Sequence, residues 1–214
     1  GEVRNRGIEI DVRATLYRTK DMLVSVFGNL AHNKNKILKI SESLKAYNDR
    51  VDEKFEGYDE SIFSQQDPQY NKPFMKYVEG GSLTSIFGMK SLGINPSDGK
   101  ELYLNRNGSV TADWTSQEQV ILGNTEADAQ GAFGLNLQYK SFSLFTTFLY
   151  EFGGQTYNST LVEKVENVDL YNYNADKRVL TERWQKPGDV TRLKAIQDRG
   201  LTTRPTSRFV QDYN

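Results

Sequence analysis

The strongest regularity in the chain is an alternation of apolar and polar residues near its start. Even positions from 8 to 16 are apolar, and odd positions from 9 to 17 carry Glu, Asp, Arg, Thr and Tyr. A period of two predicts a β-strand with one apolar and one polar face. After a polar break at 18–21, Met22, Val24, Val26 and Leu30 continue the even register as far as Asn33. The two runs predict a hairpin with a tight turn.

The same pattern returns in residues 131–155. Its apolar positions are Phe133, Leu135, Leu137, Tyr139, Leu144, Phe148, Tyr150 and Phe152. The turn is predicted at 140–142, and Phe145 and Leu149 break the alternation in the return strand. These strands exceed the usual length of about five or six residues.

Two architectures produce such strands. A tilted strand of about 9–11 residues spans a bilayer in a β-barrel, whereas a soluble sandwich also has sheets with one solvated face. The predicted connections 34–76 and 157–206 are much longer than the roughly 12–15 residues at which loops become uncommon. Short turns at one rim and long outer loops at the other favour a transmembrane barrel.

Aromatic residues lie near both ends of these strands. Tyr17, Tyr139 and Phe142 lie at the tight turns, and Phe148, Tyr150, Phe152 and Tyr157 lie toward the long connections. This placement fits the aromatic girdles of a membrane barrel, although cross-strand packing in any sheet gives the same pattern.

Residues 84–104 alternate poorly. We expect no membrane strand between 22–33 and 131–140, and a small hairpin over Asn95–Gly99 outside the membrane. The competing interpretation makes 84–104 a further pair of barrel strands.

Composition removes several function classes. There are 27 Lys and Arg against 28 Asp and Glu, so no basic surface for nucleic acid is expected. The absence of cysteine excludes disulfides, thiol catalysis and cysteine zinc sites. Mean hydropathy is -0.65 although 12% of residues are aromatic, which suits β-structure with one solvated face better than a helical bundle. The start Gly-Glu-Val is neither an initiator Met nor a signal peptide, and we expect a piece of a longer protein.

No catalytic, cofactor or metal site is predicted. His32 is the single histidine and is expected at the end of the second strand, as a rim residue. Glu9 and Asp11 are interpreted as charges in a polar lumen rather than as an acid/base pair. A Ser-His-Asp triad has no support in the sequence around His32.

Short motifs along the chain resemble a known family. They are Asn5–Ile10, 33–37, Glu79–Gly88, 93–99, Leu122-Gly123, 131–134, 139–142, 152–158, Arg183-Trp184 with 187–191, and Ser207–Val210. In this order and spacing they resemble the C-terminal barrel of SusC/RagA-like TonB-dependent outer-membrane transporters.

This resemblance implies an all-β fold in which residues 1–214 form part of a large plugged barrel, with the plug domain absent. It implies location in a Bacteroidetes-like cell outer membrane and contact with its lipid. The implied function is import of oligosaccharides or peptides, with a SusD-like lipoprotein as lid and with TonB acting through the absent N-terminal part. Neither catalysis nor a cofactor is implied.

The chain departs from the family at two places. Many relatives have a calcium-like acidic loop where this chain has Leu104–Val110, with Asp113 as the nearest carboxylate. Because calcium prefers several carboxylate and carbonyl ligands, no metal is expected here. The proline that usually follows the Pro-Gly-Asp-x-Thr element is missing, since Leu193 and Lys194 stand there.

Aromatic residues of the predicted outer loops are the candidate contacts with substrate or lid. They are Trp114, Tyr171, Tyr173 and Trp184. The alternative role is anchoring of the loops.

Two further functions stay open. One is a siderophore or cobalamin receptor. The other is a soluble β-sandwich that binds surface glycans, and it predicts that Ile8, Ile10, Val12 and Leu16 are buried.

Overall fold

The computed structural model of the chain describes residues 1–58, 68–170, 172–196 and 203–212. Its largest element is a four-stranded antiparallel sheet in the order β1-β2-β8-β9. These strands are β1 (Glu2–Arg18), β2 (Met22–Lys39), β8 (Ala129–Tyr139) and β9 (Phe142–Phe152). The described chain is therefore mainly β, as predicted.

The other elements are short. The strands are β3 (Ser85–Gly88), β4 (Lys90–Ile94), β5 (Glu101–Leu104), β6 (Val110–Thr111), β7 (Val120–Asn124), β10 (Gln155–Tyr157) and β11 (Val210–Asp212). The helices are α1 (Glu42–Glu56), α2 (Ser159–Leu161), which continues as a π-helix over Val162–Glu166, and α3 (Arg178–Thr181). Single 3-10 turns cover Pro68–Asn71, Ser116–Glu118 and Ser207–Phe209.

The described residues from 40 onward that lie outside β8, β9 and their turn form what we call the loop body. Both of its long connections leave the sheet at the end opposite the tight turns, because β2 and β9 end there and β8 begins there. Short turns at one end and long connections at the other agree with the predicted pattern.

Cross-strand register separates the two faces of the four-stranded sheet. Ile10, Leu30, Gly131 and Tyr150 are neighbours in one row, and Val12, Gly28, Phe133 and Phe148 in the next row of that face. We call this the outer face. The intervening rows form the inner face, where Asp11 lies opposite Asn29. One face is thus largely apolar on all four strands and the other is mixed and mostly polar.

The outer face is bare. Its side chains include Ile8, Val12, Leu16 and Phe148, which are 63%, 57%, 64% and 58% exposed. These exposures contradict the β-sandwich alternative. It requires the same apolar side chains of β1 to be buried, namely Ile8, Ile10, Val12 and Leu16. Among the described residues, every sheet other than the four-stranded one has two or three strands, and none covers this face.

A register shift near the first turn changes the predicted position of Tyr17. Thr15 pairs with Ser25, but the next pair is Tyr17 with Val24, so Leu16 is the extra residue of a bulge. Val24 lies two residues from Val26 and shares its face, so Tyr17 opposite it lies on the outer face. The sequence alternation wrongly placed Tyr17 on the polar face, because a bulge shifts the phase of a strand by one residue.

The second strand is longer than predicted. It continues beyond Asn33 to Lys39 and pairs with β1 along this extension. Polar Lys34, Asn35 and Lys36 interrupt the apolar alternation without interrupting the backbone ladder. His32 is therefore inside β2, opposite Ile8, with its Nδ1 2.5 Å from the Asp128 carbonyl oxygen. The prediction that His32 ends the strand was wrong.

Residues 84–104 stay outside the four-stranded sheet. β2 pairs directly with β8, which confirms that no strand separates them. β4 and β5 form the predicted hairpin over Asn95–Gly99, although β3 pairs with β7 instead. Helix α1 lies in the connection 34–76, where no helix was predicted. Ser41 caps α1 by accepting from the Leu44 amide, and Val51 and Phe55, four residues apart, are buried.

Candidate functional site

The two long connections of the chain pack against each other in the loop body. The amide of Met89 donates to the Pro205 carbonyl at 3.1 Å, and the amide of Ala195 donates to the Gly99 carbonyl at 2.9 Å. Residues more than 90 positions apart in sequence thus pack into one small core. This core lies at the end of the four-stranded sheet from which the long connections leave.

A buried ion cluster lies where these connections meet. The Arg208 guanidinium donates to Glu101 Oε2 at 2.7 Å and to Glu166 Oε1 at 2.8 Å. Thr206 donates to the second oxygen of Glu101 at 2.7 Å, and a further guanidinium nitrogen of Arg208 donates to the Arg192 carbonyl at 2.7 Å. One arginine therefore joins β5, the π-helix and the approach to β11.

Electrostatics favour the charged forms of this cluster. Burial by itself raises the pKa of Glu101, but the Arg208 charge and the hydrogen bonds outweigh burial, so the pKa of Glu101 lies below its ordinary value. Burial likewise opposes the charge of Arg208, yet Glu166 and Glu101 more than offset it and raise the pKa of Arg208. The nearby Tyr157 hydroxyl has its pKa raised, mainly by burial.

The cluster predicts acid sensitivity of the loop body. A carboxyl with a lowered folded-state pKa contributes stability that is complete above its ordinary pKa of about 4.3 and is lost as pH falls through the folded value. Hydrogen exchange in residues 90–104 should therefore accelerate relative to exchange in β8 as the pH falls below about 4.3. Glu101→Gln should reduce this pH dependence. If exchange in Glu101→Gln depends on pH as it does in the wild type, Glu101 is not the source of the acid sensitivity.

Arg183 is a second buried cation and has a different role. It donates to the carbonyls of Val165 and Glu166, both at 2.8 Å, and to the Lys194 carbonyl at 3.0 Å. Burial is the main cause of its lowered pKa. Arg183 thus satisfies carbonyl groups at the end of the π-helix, which have no partner within the helix.

Trp114 lies in an aromatic cluster. Its ring centroid is 5.0 Å from that of Phe55, and the Arg204 guanidinium lies 5.7 Å from the ring. The indole N–H donates to the Pro205 carbonyl at 2.9 Å. Trp114 is half-buried and joins α1 to the 203–206 segment, so much of its surface contacts the loop body.

Trp184 lies on the hairpin between β4 and β5. Its indole N–H donates to the Pro96 carbonyl at 2.9 Å, and its backbone N–H donates to the Leu193 carbonyl at 3.1 Å. Its ring lies over Gly99, where an added Cβ would stand 2.5 Å from Cδ2 of the indole. Both residues of the Arg183-Trp184 motif therefore have a role in the packing of the loop body.

Gly99→Ala tests this packing. The new methyl group would displace the indole, and the φ of 73° at Gly99 also disfavours a side chain. We expect a loss of about 1–3 kcal/mol for overpacking and a red-shifted tryptophan emission. Gly108→Ala is the matched control, because Gly108 has a φ of 85° but nothing within 4 Å of an added Cβ. Equal losses in both variants would contradict the seating of Trp184 on Gly99.

The three candidate contact residues that the structure describes, Trp114, Tyr173 and Trp184, contact different neighbours. Trp114 and Trp184 belong to different parts of the loop body, and Tyr173 is 70% exposed with the Lys164 ammonium 5.8 Å from its ring. Tyr171 lies outside the described residues. Their role as contacts for substrate or lid stays a prediction, and Tyr173 offers the most free surface of the three that are described.

The inner face contains an apolar patch among polar neighbours. Phe27 and Phe145 stack with centroids 5.9 Å apart and planes 9° from parallel. Phe145 and Leu149, the two exceptions to the alternation, belong to inner-face rows with Asn136 and Ala132. Both are strongly exposed, at 67% and 85%.

The described ranges contain neither a metal-binding cluster nor a membrane-spanning helix. No group of three or more His, Cys, Asp or Glu side chains there could hold a metal ion. No helix in the same ranges is both long enough and apolar enough to cross a membrane.

Two curated relatives from Formosa agariphila cover nearly the whole chain. TonB-dependent receptor P3 is 25% identical over 217 residues, which is 99% of this chain and 20% of the relative. This chain is similar to part of a TonB-dependent receptor. TonB-dependent receptor P39 is 24% identical over 92% of this chain and 21% of its own length. The chain thus spans about a fifth of these receptors, and no family model matches it.

Solved structures give the same fold. A chain of the RagAB peptide importer in its open-open state matches with a TM-score of 0.67 at 18% identity, covering 98% of this chain and 21% of that chain. The closed-closed state of the importer gives a TM-score of 0.68 at 18% identity, with the same coverage. The similarity to SusC/RagA-like TonB-dependent receptors, inferred from short motifs, is confirmed.

The TonB-receptor-like fold explains several motif positions. Asn5 and Asn35, from two separate motifs, are cross-strand partners at the long-connection end of β1 and β2. Arg208 of the Ser207–Val210 motif is the centre of the ion cluster. This cluster could not be predicted from sequence, because Glu101 is 107 positions from Arg208 and one sequence gives no sign of their contact.

Proposed function

We propose that this chain is a sector of the wall of a TonB-dependent transporter in a cell outer membrane. In this proposal the outer face of β1-β2-β8-β9 contacts lipid, the inner face contacts the lumen, and the loop body lies outside the cell. The observation that carries the proposal is the bare apolar outer face, which is continuous over four strands.

The dimensions of that face support a membrane location. From Ile8 to Leu16 the outer face of β1 is apolar over eight residue steps, or roughly 27 Å along the strand at about 3.4 Å per residue. A tilt of about 40° shortens this span to roughly 20 Å, close to the apolar band of about 25 Å in outer-membrane barrels. Tyr17, Tyr139 and Phe142 lie at the tight-turn border of the band, where aromatic girdles are found.

The open edges of the sheet also support a larger barrel. β1 and β9 each have one neighbour among the described strands. Long unpaired edges are unstable in lipid, where backbone groups need partners within the protein. We propose that further strands of the complete barrel pair with both edges.

The proposed cargo and partners rest on the resemblance to SusC/RagA-like transporters. We propose import of oligosaccharides or peptides beneath a SusD-like lipoprotein lid, with energy supplied through TonB. The solved neighbours are named as a peptide importer, and this supports the peptide alternative among the two. The chain would supply wall and outer loops, and no step of the proposed function is catalytic.

Uptake by cells tests the transport proposal. The full-length gene that contains this sequence should restore uptake of a labelled peptide or oligosaccharide mixture to a strain lacking it. Uptake should disappear when TonB is deleted, and the protein should fractionate with the outer membrane. Recovery in the soluble fraction, or uptake that does not need TonB, would contradict the proposal.

A further inference from the structure

Two rows of cations continue the outer face of the four-stranded sheet beyond its apolar residues. Ile8 lies opposite His32, and the next two cross-strand pairs of that face, toward the long-connection end, consist of cations alone. They are Arg6 with Lys34 and Arg4 with Lys36. All four residues are exposed. We call these four residues the basic patch.

The basic patch has no counter-charge on its own face. In the four strands, which the structure describes completely, the outer-face positions from the patch to the tight turns include no Asp or Glu. Among the described residues, the patch cations take part in none of the salt bridges. Like charges directly opposite each other destabilise a sheet, so an anion bound between these cations would stabilise it.

The carboxylates closest to the patch along the chain have other partners. Glu2 lies opposite Lys39. Glu126 accepts hydrogen bonds from the side-chain amide of Asn33 at 2.8 Å and from the backbone amide of Asn35 at 3.3 Å. Both asparagines belong to inner-face rows, so Glu126 does not neutralise the patch on the outer face.

The patch lies at the depth of lipid headgroups in the proposed membrane orientation. Its two rows are about 7 and 14 Å beyond Ile8 along the strand, at about 3.4 Å per residue, or roughly 5 and 10 Å beyond it after a tilt of about 40°. The headgroup layer on each side of a bilayer is about 5–8 Å thick. The rings of Tyr150 and Phe152 stack 5.5 Å apart on the outer face of β9 at this end, as expected of an aromatic border.

We propose that the basic patch binds the phosphate of a lipid headgroup in the outer leaflet, with the acyl chains of that lipid on the apolar rows below. The inference rests on the proposed function, which sets the depth and direction of the sheet. Arginine and lysine both donate charge-assisted hydrogen bonds to phosphate oxygens. The side chains stand about 5 Å apart across the strands and about 7 Å apart along them, so several of them reach one phosphate group.

The test compares two lipids that differ in phosphate alone. The full-length protein in a nonionic detergent is titrated with lipid A, a phosphorylated glycolipid of outer membranes, or with the same lipid A after enzymatic removal of its phosphate. Native mass spectrometry measures the bound lipid. Lipid A should bind at least about tenfold more tightly than its dephosphorylated form, because each cation at a lipid surface contributes roughly a factor of five. Millimolar inorganic phosphate should not displace it, since the acyl chains also contact the sheet.

Matched double variants assign the binding to the patch. Arg6→Gln with Lys34→Gln should weaken lipid A binding by about tenfold or more, whereas Arg6→Lys with Lys34→Arg keeps both charges and should keep the binding. Arg18→Gln with Lys20→Gln removes the same two residue types at the tight-turn end and should leave the affinity unchanged.

Three results would overturn the proposal. They are equal affinity for the two lipids, equal weakening by the two Gln double variants, and displacement of lipid A by inorganic phosphate, which would indicate a site for the free ion. If the protein fractionates with the outer membrane and imports cargo through TonB but gives one of these results, the proposed function stands and this inference alone fails.

Discussion

Replacing Arg208 with alanine should unfold much of the loop body while leaving the four-stranded sheet intact. The substitution removes the cation that holds Glu101 and Glu166, whose side chains are 3% and 0% exposed. Removing one partner of a buried ion pair costs about 3–5 kcal/mol, because the remaining charge is left without compensation. The opening free energy of amides in 90–104 and 159–168, measured by hydrogen exchange on the full-length protein, should fall by about this amount.

Two further variants make this prediction specific. Arg178→Ala removes an exposed arginine that pairs with Asp176 at 2.9 Å, and it should change exchange in the loop body little. The triple variant Arg208→Met, Glu101→Gln, Glu166→Gln removes all three charges and should recover part of the lost protection. Equal effects of Arg208→Ala and Arg178→Ala would contradict a structural role for the ion cluster.

The second large effect is expected from charge on the outer face. Val12→Arg would place a guanidinium near the middle of the apolar band, and an arginine at that depth costs roughly 2–4 kcal/mol in a membrane barrel. Thr15→Arg, on the same strand, points to the inner face and should cost much less. Denaturant unfolding of the full-length protein from lipid vesicles measures both variants.

The outcome distinguishes the two faces directly. If the outer face contacts lipid, Val12→Arg destabilises the protein and Thr15→Arg leaves it close to wild type. Similar stability of both variants would contradict a lipid-facing outer surface. The opposite order would reverse the assignment of the faces.

Alternation and turn spacing were enough to predict the four long strands. Ile8 to Leu16 and Phe133 to Tyr139 follow a period of two because one side of each strand is uniformly apolar. The prediction fails where the apolar alternation shifts or stops although the backbone pairing of the strands continues. The bulge at Leu16 leaves no mark in composition, and Lys34–Lys36 are polar although their backbone continues the ladder with β1.

The loop body was much harder to predict. Its core joins Glu101, Glu166 and Arg208, and each of these residues has an ordinary sequence environment. From sequence, Trp114 and Trp184 are predicted to contact substrate or lid, with loop anchoring as the alternative, because aromatic residues in long loops often bind ligands. In the structure both indole N–H groups donate to backbone carbonyls about 90 positions away, and both rings pack against neighbouring residues. Such long-range pairs cannot be read from periodicity.

In the proposed barrel wall, alternate side chains of β9 lie in lipid and in the lumen. Because the chain has no cysteine, single cysteines can be introduced at positions 143–150 if the rest of the protein is also made cysteine-free. Nitroxide labels there report exposure to oxygen, which dissolves in lipid, or to a water-soluble nickel complex. In the full-length protein in vesicles, labels at positions 144, 146, 148 and 150 should respond strongly to oxygen, and those at 143, 145, 147 and 149 weakly. Oxygen responses without this period of two would contradict a lipid-facing outer face and a lumen-facing inner face.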